Sequence, residues 1–121
     1  MKPLIFVADS HRALTQFPRT VQQRVGFALY QAQMGGKHID AKPLRNVGAG
    51  VLEVVADHRG DTFRTVYTVK LEKAVYVLHA FQKKSKRGIG TPQLDKETIE
   101  RRLREAEAIH RSRQGLKGGQ R

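Results

Sequence analysis

The stretch that decides the fold runs from Val51 to Phe81 and has the sequence "VLEVVADHRGDTFRTVYTVKLEKAVYVLHAF". It contains three apolar segments rich in Val, Thr, Tyr and Phe, residue types that favour β-strands. The breaks between them, "HRGD" and "EK", are too short for a crossover helix, so consecutive strands must pair as antiparallel hairpins. The sequence therefore predicts a small antiparallel sheet at the centre of the fold.

Side chains alternate between the two faces of a strand, and this period divides the middle segment into two sets. One face receives Phe63, Thr65, Tyr67 and Val69, and the other receives Arg64, Val66, Thr68 and Lys70. The third segment is apolar on both faces, as expected for a central strand. Its last residues bring His79 and Phe81 to the same side.

Helical periodicity is found before this region. A short strand, Leu4 to Val7, is followed by Ser10, a residue type that caps a brief helix, and Pro18 suits the first turn of a second helix. The second helix has apolar residues at the 3.6-residue period and ends at Gly35-Gly36. Residues 37–50 show no period and are predicted to form a loop.

A third helix is predicted after Thr91-Pro92 and Asp95. Its apolar stripe consists of Ile99, Leu103, Ala106 and Ile109. The predicted fold is α+β, in the order β-α-α-β-β-β-α, with the N-terminal helices on one face of the sheet and a C-terminal helix. We expect one domain over residues 1–112 and a disordered basic tail over residues 113–121.

Charge is the strongest compositional signal. The 121 residues include 23 Lys and Arg against 11 Asp and Glu, a formal net charge of +12. Such a surface favours polyanions, nucleic acid first.

The chain has no cysteine, which excludes a disulfide or thiolate site and suits a reducing cytoplasm. No apolar run approaches the roughly 20 residues of a membrane span, and the amino terminus does not resemble a signal peptide.

Four segments of the chain resemble a known family. They are "KPLRNVGAGVLEVV", "GDTFRTVYTV", "VYVLHAFQKKSKRGIGTP" and "IERRL". Together they are similar to the phage-derived, HigB-like branch of the RelE/ParE toxin superfamily. The resemblance is strongest from Lys42 to Pro92. It implies a cytoplasmic toxin of a type II toxin–antitoxin pair, which acts as a ribosome-dependent, metal-independent mRNA endoribonuclease and inhibits translation.

The implied partners are the ribosome, mRNA and a cognate antitoxin with a helix-turn-helix domain. Operator DNA would be bound only through the antitoxin, and no membrane, metal or cofactor is expected. Two alternatives remain open on the sequence. One is a ParE-like toxin that poisons gyrase, and the other is a non-catalytic basic nucleic-acid-binding remnant of phage origin.

Metal-free RNA cleavage needs a base, an acid and positive charge on the phosphorane. Arg64 matches the arginine of the superfamily's central strand, and a guanidinium can hold a phosphate by two parallel hydrogen bonds. Lys83 and Lys84 match the basic pair at the end of the last strand. Two neighbouring ammonium groups lower each other's pKa, so a partly neutral lysine could accept the proton of the 2′-hydroxyl. In an exposed loop that shift is usually small, and simple phosphate binding is the alternative role.

Two further residues are catalytic candidates. Glu53 is the only acid inside the predicted sheet, where it can orient Arg64 or act as a base. His79 is a candidate acid or base, although a strand histidine is more often a core residue. The candidate RNA-binding residues are Arg45, Phe81, Lys86 and Arg87, with Phe81 placed to stack on a base or to pack in the core. The tyrosine that RelE-type toxins carry after the basic loop is absent, so its role is not transferred.

Overall fold

The protein is represented by a computed structural model that describes residues 1–83 and 91–119, with side chains described through residue 114 of the last helix. The elements are β1 Leu4–Phe6, α1 Ser10–Thr15, α2 Arg19–Gln33, β2 Ala41–Pro43, β3 Val51–His58, β4 Asp61–Thr68, β5 Val75–Lys83 and α3 Gln93–Gly119. The predicted α+β class is confirmed. The predicted order is extended by one strand, β2.

The strands form one sheet in the order β1-β5-β4-β3-β2. The two predicted hairpins pair β3 with β4 and β4 with β5 in antiparallel register. β1 joins the other side of β5 in parallel. The two strands are far apart in the chain, and α1, α2 and the strands β2 to β4 together form the long connection that a parallel pair requires.

The strand β2 corrects the prediction of a continuous loop over residues 37–50. Ala41–Pro43 pairs antiparallel with β3, and Lys42 lies directly opposite Glu53. A three-residue strand is too short to show a period of its own, and Pro43 is acceptable there because β2 is at the edge of the sheet. Tertiary pairing with β3 therefore decides the structure of this segment.

Two hydrophobic clusters cover the two faces of the sheet. One joins α1 and α2 to Phe63 and Tyr67. The other joins α3 to Val66 through Ile99, Leu103 and Ala106. The predicted alternation of β4 is thereby confirmed, and the same alternation places Arg64 on the α3 face.

Two details at the helix termini differ from the sequence prediction. Ser10 does not cap α1, because Asp9 is the N-cap residue and the Ser10 hydroxyl instead donates to the carbonyl oxygen of Val77 across 3.1 Å. α3 continues to Gly119, so the backbone is helical over much of the tail that was predicted to be disordered. Residues 120–121 lie outside the described residues. A helix can extend beyond its last buried turn because each added residue forms one more backbone hydrogen bond.

A β-bulge in β5 determines which residues face α3. Val66 of β4 pairs with His79, but the next residue, Tyr67, pairs with Val77. Leu78 is therefore an extra residue in β5, and it reverses the alternation for the rest of the strand. As a result His79, Phe81 and Lys83 share the face of Arg64.

Candidate nucleic-acid interface and active site

The centre of the candidate site is an ion pair between adjacent strands. Arg64 Nη1 donates hydrogen bonds of 3.0 Å to both carboxylate oxygens of Glu53. The side chains are only 14% and 5% exposed, respectively. A carboxylate buried to this degree requires a charged partner. Both bonds come from one nitrogen, and Arg64 Nε is buried without a hydrogen-bond partner in the described part of the chain.

Two lysines surround this pair. Lys42 Nζ lies 4.0 Å from Glu53 Oε1, and its side chain is 61% exposed. Burial lowers the pKa of Lys83 below the usual 10.5, and the charges of Arg64 and Lys42 lower it further, whereas Glu53 raises it. Arg64, Lys42 and Glu53 are therefore all close enough to Lys83 to influence its protonation.

An open groove of about 840 Å³ lies beside the ion pair. Residues of the β2–β3 segment, of the sheet and of the start of α3 line it: Lys42, Pro43, Leu44, Arg45, Asn46, Val47, Glu53, Arg64, Thr91 and Lys96. Four of these carry positive charge, and the single acid is already paired with Arg64. The groove has the size of a small-molecule site and the charge of a polyanion site.

His79 is held by hydrogen bonds at both ring nitrogens. Nε2 lies 2.7 Å from Asp95 Oδ1, and Nδ1 lies 3.3 Å from Arg102 Nη1. Because an arginine nitrogen only donates, Nδ1 is the acceptor and Nε2 carries the proton donated to Asp95. The imidazole also stacks on Phe81, with ring centroids 4.8 Å apart. This arrangement orients His79 and Phe81 firmly.

Arg102 connects the bulge of β5 to two other elements. Its Nη1 donates to the carbonyl oxygen of Leu78 across 3.1 Å, and its Nη2 donates to Asp9 Oδ1 across 2.8 Å. The residue is only 9% exposed. One buried guanidinium thus joins α3, the bulged strand and the start of α1.

The structure brings most of the sequence-predicted site residues together. Arg64, Glu53 and Lys83 form one cluster, and Arg45 lines the adjoining groove. Phe81 is the cross-strand partner of Arg64 and packs beside the α3 cluster. The three candidates Lys84, Lys86 and Arg87 lie outside the described residues. The roles of all these residues remain predictions.

Two cations of the groove were missed by the sequence analysis. Lys42 lies in "KPLR", a segment of the family resemblance, but its approach to Glu53 depends on the unforeseen strand β2. Lys96 has no signal in the sequence, because a lysine in the first turns of a helix usually lies in solvent. Only the packing of α3 against the sheet brings Lys96 to the groove wall.

The described residues offer neither a metal-ligand group nor a membrane-spanning helix. Within 1–83 and 91–119, no three His, Asp or Glu side chains group as ligands for a metal ion. In the same ranges, none of the helices has both the length and the apolar character of a membrane span.

The five-stranded sheet with helices at both termini is compatible with the RelE-like toxin fold. The family model described as "Phage derived protein Gp49-like (DUF891)" matches residues 12–104, and the chain belongs to this family. The family is associated with toxin–antitoxin toxins of the RelE/ParE type. The comparison with curated proteins gives no match.

Proposed function

We propose that this chain is the cytoplasmic toxin of a type II toxin–antitoxin pair of the HigB-like branch, and that it cleaves mRNA on the ribosome without a metal ion. The observation that carries the proposal is the cluster of Arg64, Glu53, Lys42 and Lys83 on one face of the sheet beside an open basic groove. Membership in a family associated with RelE/ParE-type toxins supports the same conclusion.

The proposed reaction is an internal phosphoryl transfer within the RNA strand. The ribose 2′-oxygen attacks the adjacent phosphorus, and the bond from phosphorus to the 5′-oxygen of the next nucleotide breaks. The products are a 2′,3′-cyclic phosphate and a free 5′-hydroxyl. A base takes the proton of the 2′-hydroxyl, an acid gives a proton to the leaving oxygen, and cations stabilise the charged phosphorane.

Arg64 is assigned to the phosphorane. Glu53 engages only Nη1, so the carboxylate orients the guanidinium. Arg64 Nε is buried in the protein, so a phosphate oxygen would approach the part of the side chain that remains exposed, 14% in all. Glu53 is therefore assigned as a positioning residue rather than as the base.

Lys83 is assigned to proton transfer. Burial and the positive charge of Arg64 lower its pKa, which increases the neutral fraction that can accept the proton of the 2′-hydroxyl. Lys84 is a second candidate for the proton transfers, because it follows Lys83 directly in the sequence. Lys86 and Arg87 are assigned to ribosomal RNA contacts on their charge alone.

His79 and Phe81 are assigned to substrate positioning. Both nitrogens of His79 are engaged by Asp95 and Arg102, so the imidazole supports Phe81 through their stacking contact and does not exchange protons with the substrate. Phe81 is directly opposite Arg64 in the sheet. An aromatic ring in this position can stack on a base beside the scissile phosphate.

The proposed partner is an antitoxin with a helix-turn-helix domain and an acidic segment. The formal charge of +12 favours an acidic chain on electrostatic grounds. The antitoxin would silence the toxin by covering the basic groove, and the toxin would reach operator DNA only through it. Coexpression with the neighbouring reading frame tests this pairing, because an inactive complex should then be purified.

The decisive experiment mixes the purified chain with ribosomes programmed with a defined mRNA. We expect cuts with 2′,3′-cyclic phosphate ends. Cutting should continue when a metal chelator is added at a concentration that leaves the ribosomes intact. Arg64→Ala and Lys83→Ala should abolish cutting. The control is Arg19→Ala, which should cut as the wild type does because Arg19 is exposed on the opposite face of the sheet. Intact mRNA with the wild-type chain would overturn the proposal.

A gyrase poison is the second candidate, because α2 exposes a line of large apolar side chains. Phe27, Tyr30 and Met34 are each about half exposed or more. They recur at helical spacing, and such a line suits a protein partner. DNA breaks in expressing cells with intact mRNA would favour this function.

Harmless expression with salt-dependent binding to nucleic acid would instead favour a non-catalytic remnant.

A further inference from the structure

Two cations that line the groove have no part in the proposed cleavage site. Arg45 comes from the β2–β3 segment and Lys96 from the start of α3, and Asn46 and Thr91 add neutral polar groups to the same lining. Glu53, the single carboxylate among the lining residues that the structure describes, is already paired with Arg64. The positive charge of Arg45 and Lys96 is therefore available to an anionic ligand.

The wall that carries Arg45 is anchored on both sides of this residue. Leu44 and Val47 pack against the cluster under α3, and the Leu44 amide donates to the Val51 carbonyl oxygen across 2.9 Å. Between the anchors, Asn46 has a φ of 67°, a left-handed conformation that asparagine tolerates better than most residues. The guanidinium of Arg45 thus extends from a fixed turn.

The wall that carries Lys96 is the beginning of α3. The Lys96 amide donates to the Pro92 carbonyl oxygen across 2.9 Å, which places Lys96 in the first turn of the helix. The carboxylate of this turn, Asp95, is engaged by His79 rather than by Lys96. The positive end of the helix dipole adds to the charge of Lys96 at this wall.

We propose that Arg45 and Lys96 form a second phosphate subsite, which binds a neighbouring phosphodiester of the same single strand. This inference rests on the proposed function, because it takes the scissile phosphate to lie at Arg64. The ligand class is a single-stranded nucleic acid with at least two consecutive phosphodiesters. A mononucleotide would leave one of the two cationic regions of the groove without an anion.

The test separates binding from cleavage by using 2′-deoxy oligonucleotides, which lack the attacking hydroxyl. A dinucleotide carries one phosphodiester and a trinucleotide carries two. With the wild-type chain we expect the trinucleotide to bind about tenfold more tightly, because the second phosphate gains charge-assisted hydrogen bonds. The double variant Arg45→Gln/Lys96→Gln should lose this gain and bind the dinucleotide as the wild type does.

A matched control keeps the same change in net charge. Arg19 and Lys37 are exposed and do not line the groove. The variant Arg19→Gln/Lys37→Gln should therefore retain the tenfold gain. For longer strands, the groove variant should also show a shallower salt dependence. Its logarithmic slope should decrease by about 0.7 for each phosphate that the protein no longer neutralises.

Two results would overturn the subsite. One is a gain from the second phosphate that persists in the groove variant, and the other is an equal loss of that gain in the control. Failure of the subsite and failure of the nuclease assignment give different results. If the chain shows the length-dependent gain but leaves mRNA intact, the subsite is supported and the nuclease assignment is wrong. If the chain cuts mRNA but shows no gain, the nuclease assignment is supported and the subsite is wrong.

Discussion

Arg102 of α3 donates a hydrogen bond to the carbonyl oxygen of Leu78, the extra residue that forms the β-bulge of β5. This contact stabilises the place where the alternation of β5 reverses. If Leu78 were instead paired regularly with Val66, then Ala80 and Gln82 rather than Phe81 and Lys83 would share the face of Arg64, because the side-chain period of a strand is two. A residue outside the groove therefore determines the composition of the candidate site.

Replacing Arg102 tests this relationship. Arg102→Met removes a donor from a buried carbonyl, so the free energy of unfolding should fall by about 1–3 kcal/mol. Cutting of mRNA should fall as well, because Lys83 is no longer held in place. Urea denaturation and the ribosome assay measure the two effects. The neighbouring Arg101 is exposed and pairs with Glu105 at 4.0 Å. Arg101→Met should therefore change stability by less than about 0.5 kcal/mol, and an equal loss in both variants would contradict the role of the bulge.

The ion pair at the centre of the site should behave as a unit. Glu53→Gln leaves the charge of Arg64 without its buried counter-ion and should lower the free energy of unfolding by about 2 kcal/mol. The double variant Glu53→Gln/Arg64→Met should recover most of this loss, because no unpaired buried charge remains. Urea denaturation of the two single variants and the double variant gives the coupling free energy between Glu53 and Arg64. Strictly additive losses would show that the two side chains do not interact.

The activity should depend on pH through Lys83. Its pKa lies below 10.5, and only the neutral amine accepts a proton, so kcat/KM should rise from neutral pH and level off below 10.5. Because Glu53 raises this pKa and Lys42 lowers it, Glu53→Gln should shift the midpoint to lower pH and Lys42→Gln should shift it to higher pH. Pre-steady-state cutting rates across the alkaline range measure the midpoint. A profile that Lys83→Met leaves unchanged would rule out this base.

The same lowered pKa has a consequence for stability. The fold disfavours the protonated form of Lys83, so this residue lowers stability at neutral pH, and the penalty disappears as pH rises through the lowered pKa toward 10.5. In that interval the wild-type chain should gain stability relative to Lys83→Met. Urea denaturation at several alkaline pH values provides the measurement, and parallel curves for the two chains would contradict the shift.

Gly50 should not tolerate a side chain. Its φ is +79°, and an added Cβ would lie 2.9 Å from Lys70 Cβ and 3.1 Å from Lys70 Cα. Gly50→Ala should therefore cost about 1–3 kcal/mol and should disturb the segment that carries Arg45. Gly26 lies within α2, and an added Cβ there meets nothing within 4 Å. Gly26→Ala should instead stabilise the chain by about 0.5–1 kcal/mol. Thermal unfolding of both variants should give shifts of opposite sign.

The predictability of the site differed from one residue to the next. The alternation of β4 was enough to place Arg64 and Phe63 on opposite faces, because nothing interrupts the period within that strand. The same rule does not extend through β5, where the extra residue Leu78 reverses it. Lys42 was assigned to a loop because a three-residue edge strand contains too few residues to show a period.

The sequence by itself determined the antiparallel centre, the apolar faces of α2 and α3, and the strong positive charge. These properties follow from short breaks, local periodicity and composition, which act over a few residues along the chain. Only the tertiary structure decided the strand β2, the parallel place of β1 and the approach of Lys96 to the groove. Each of these depends on contacts between segments far apart in the sequence, so no local pattern records them.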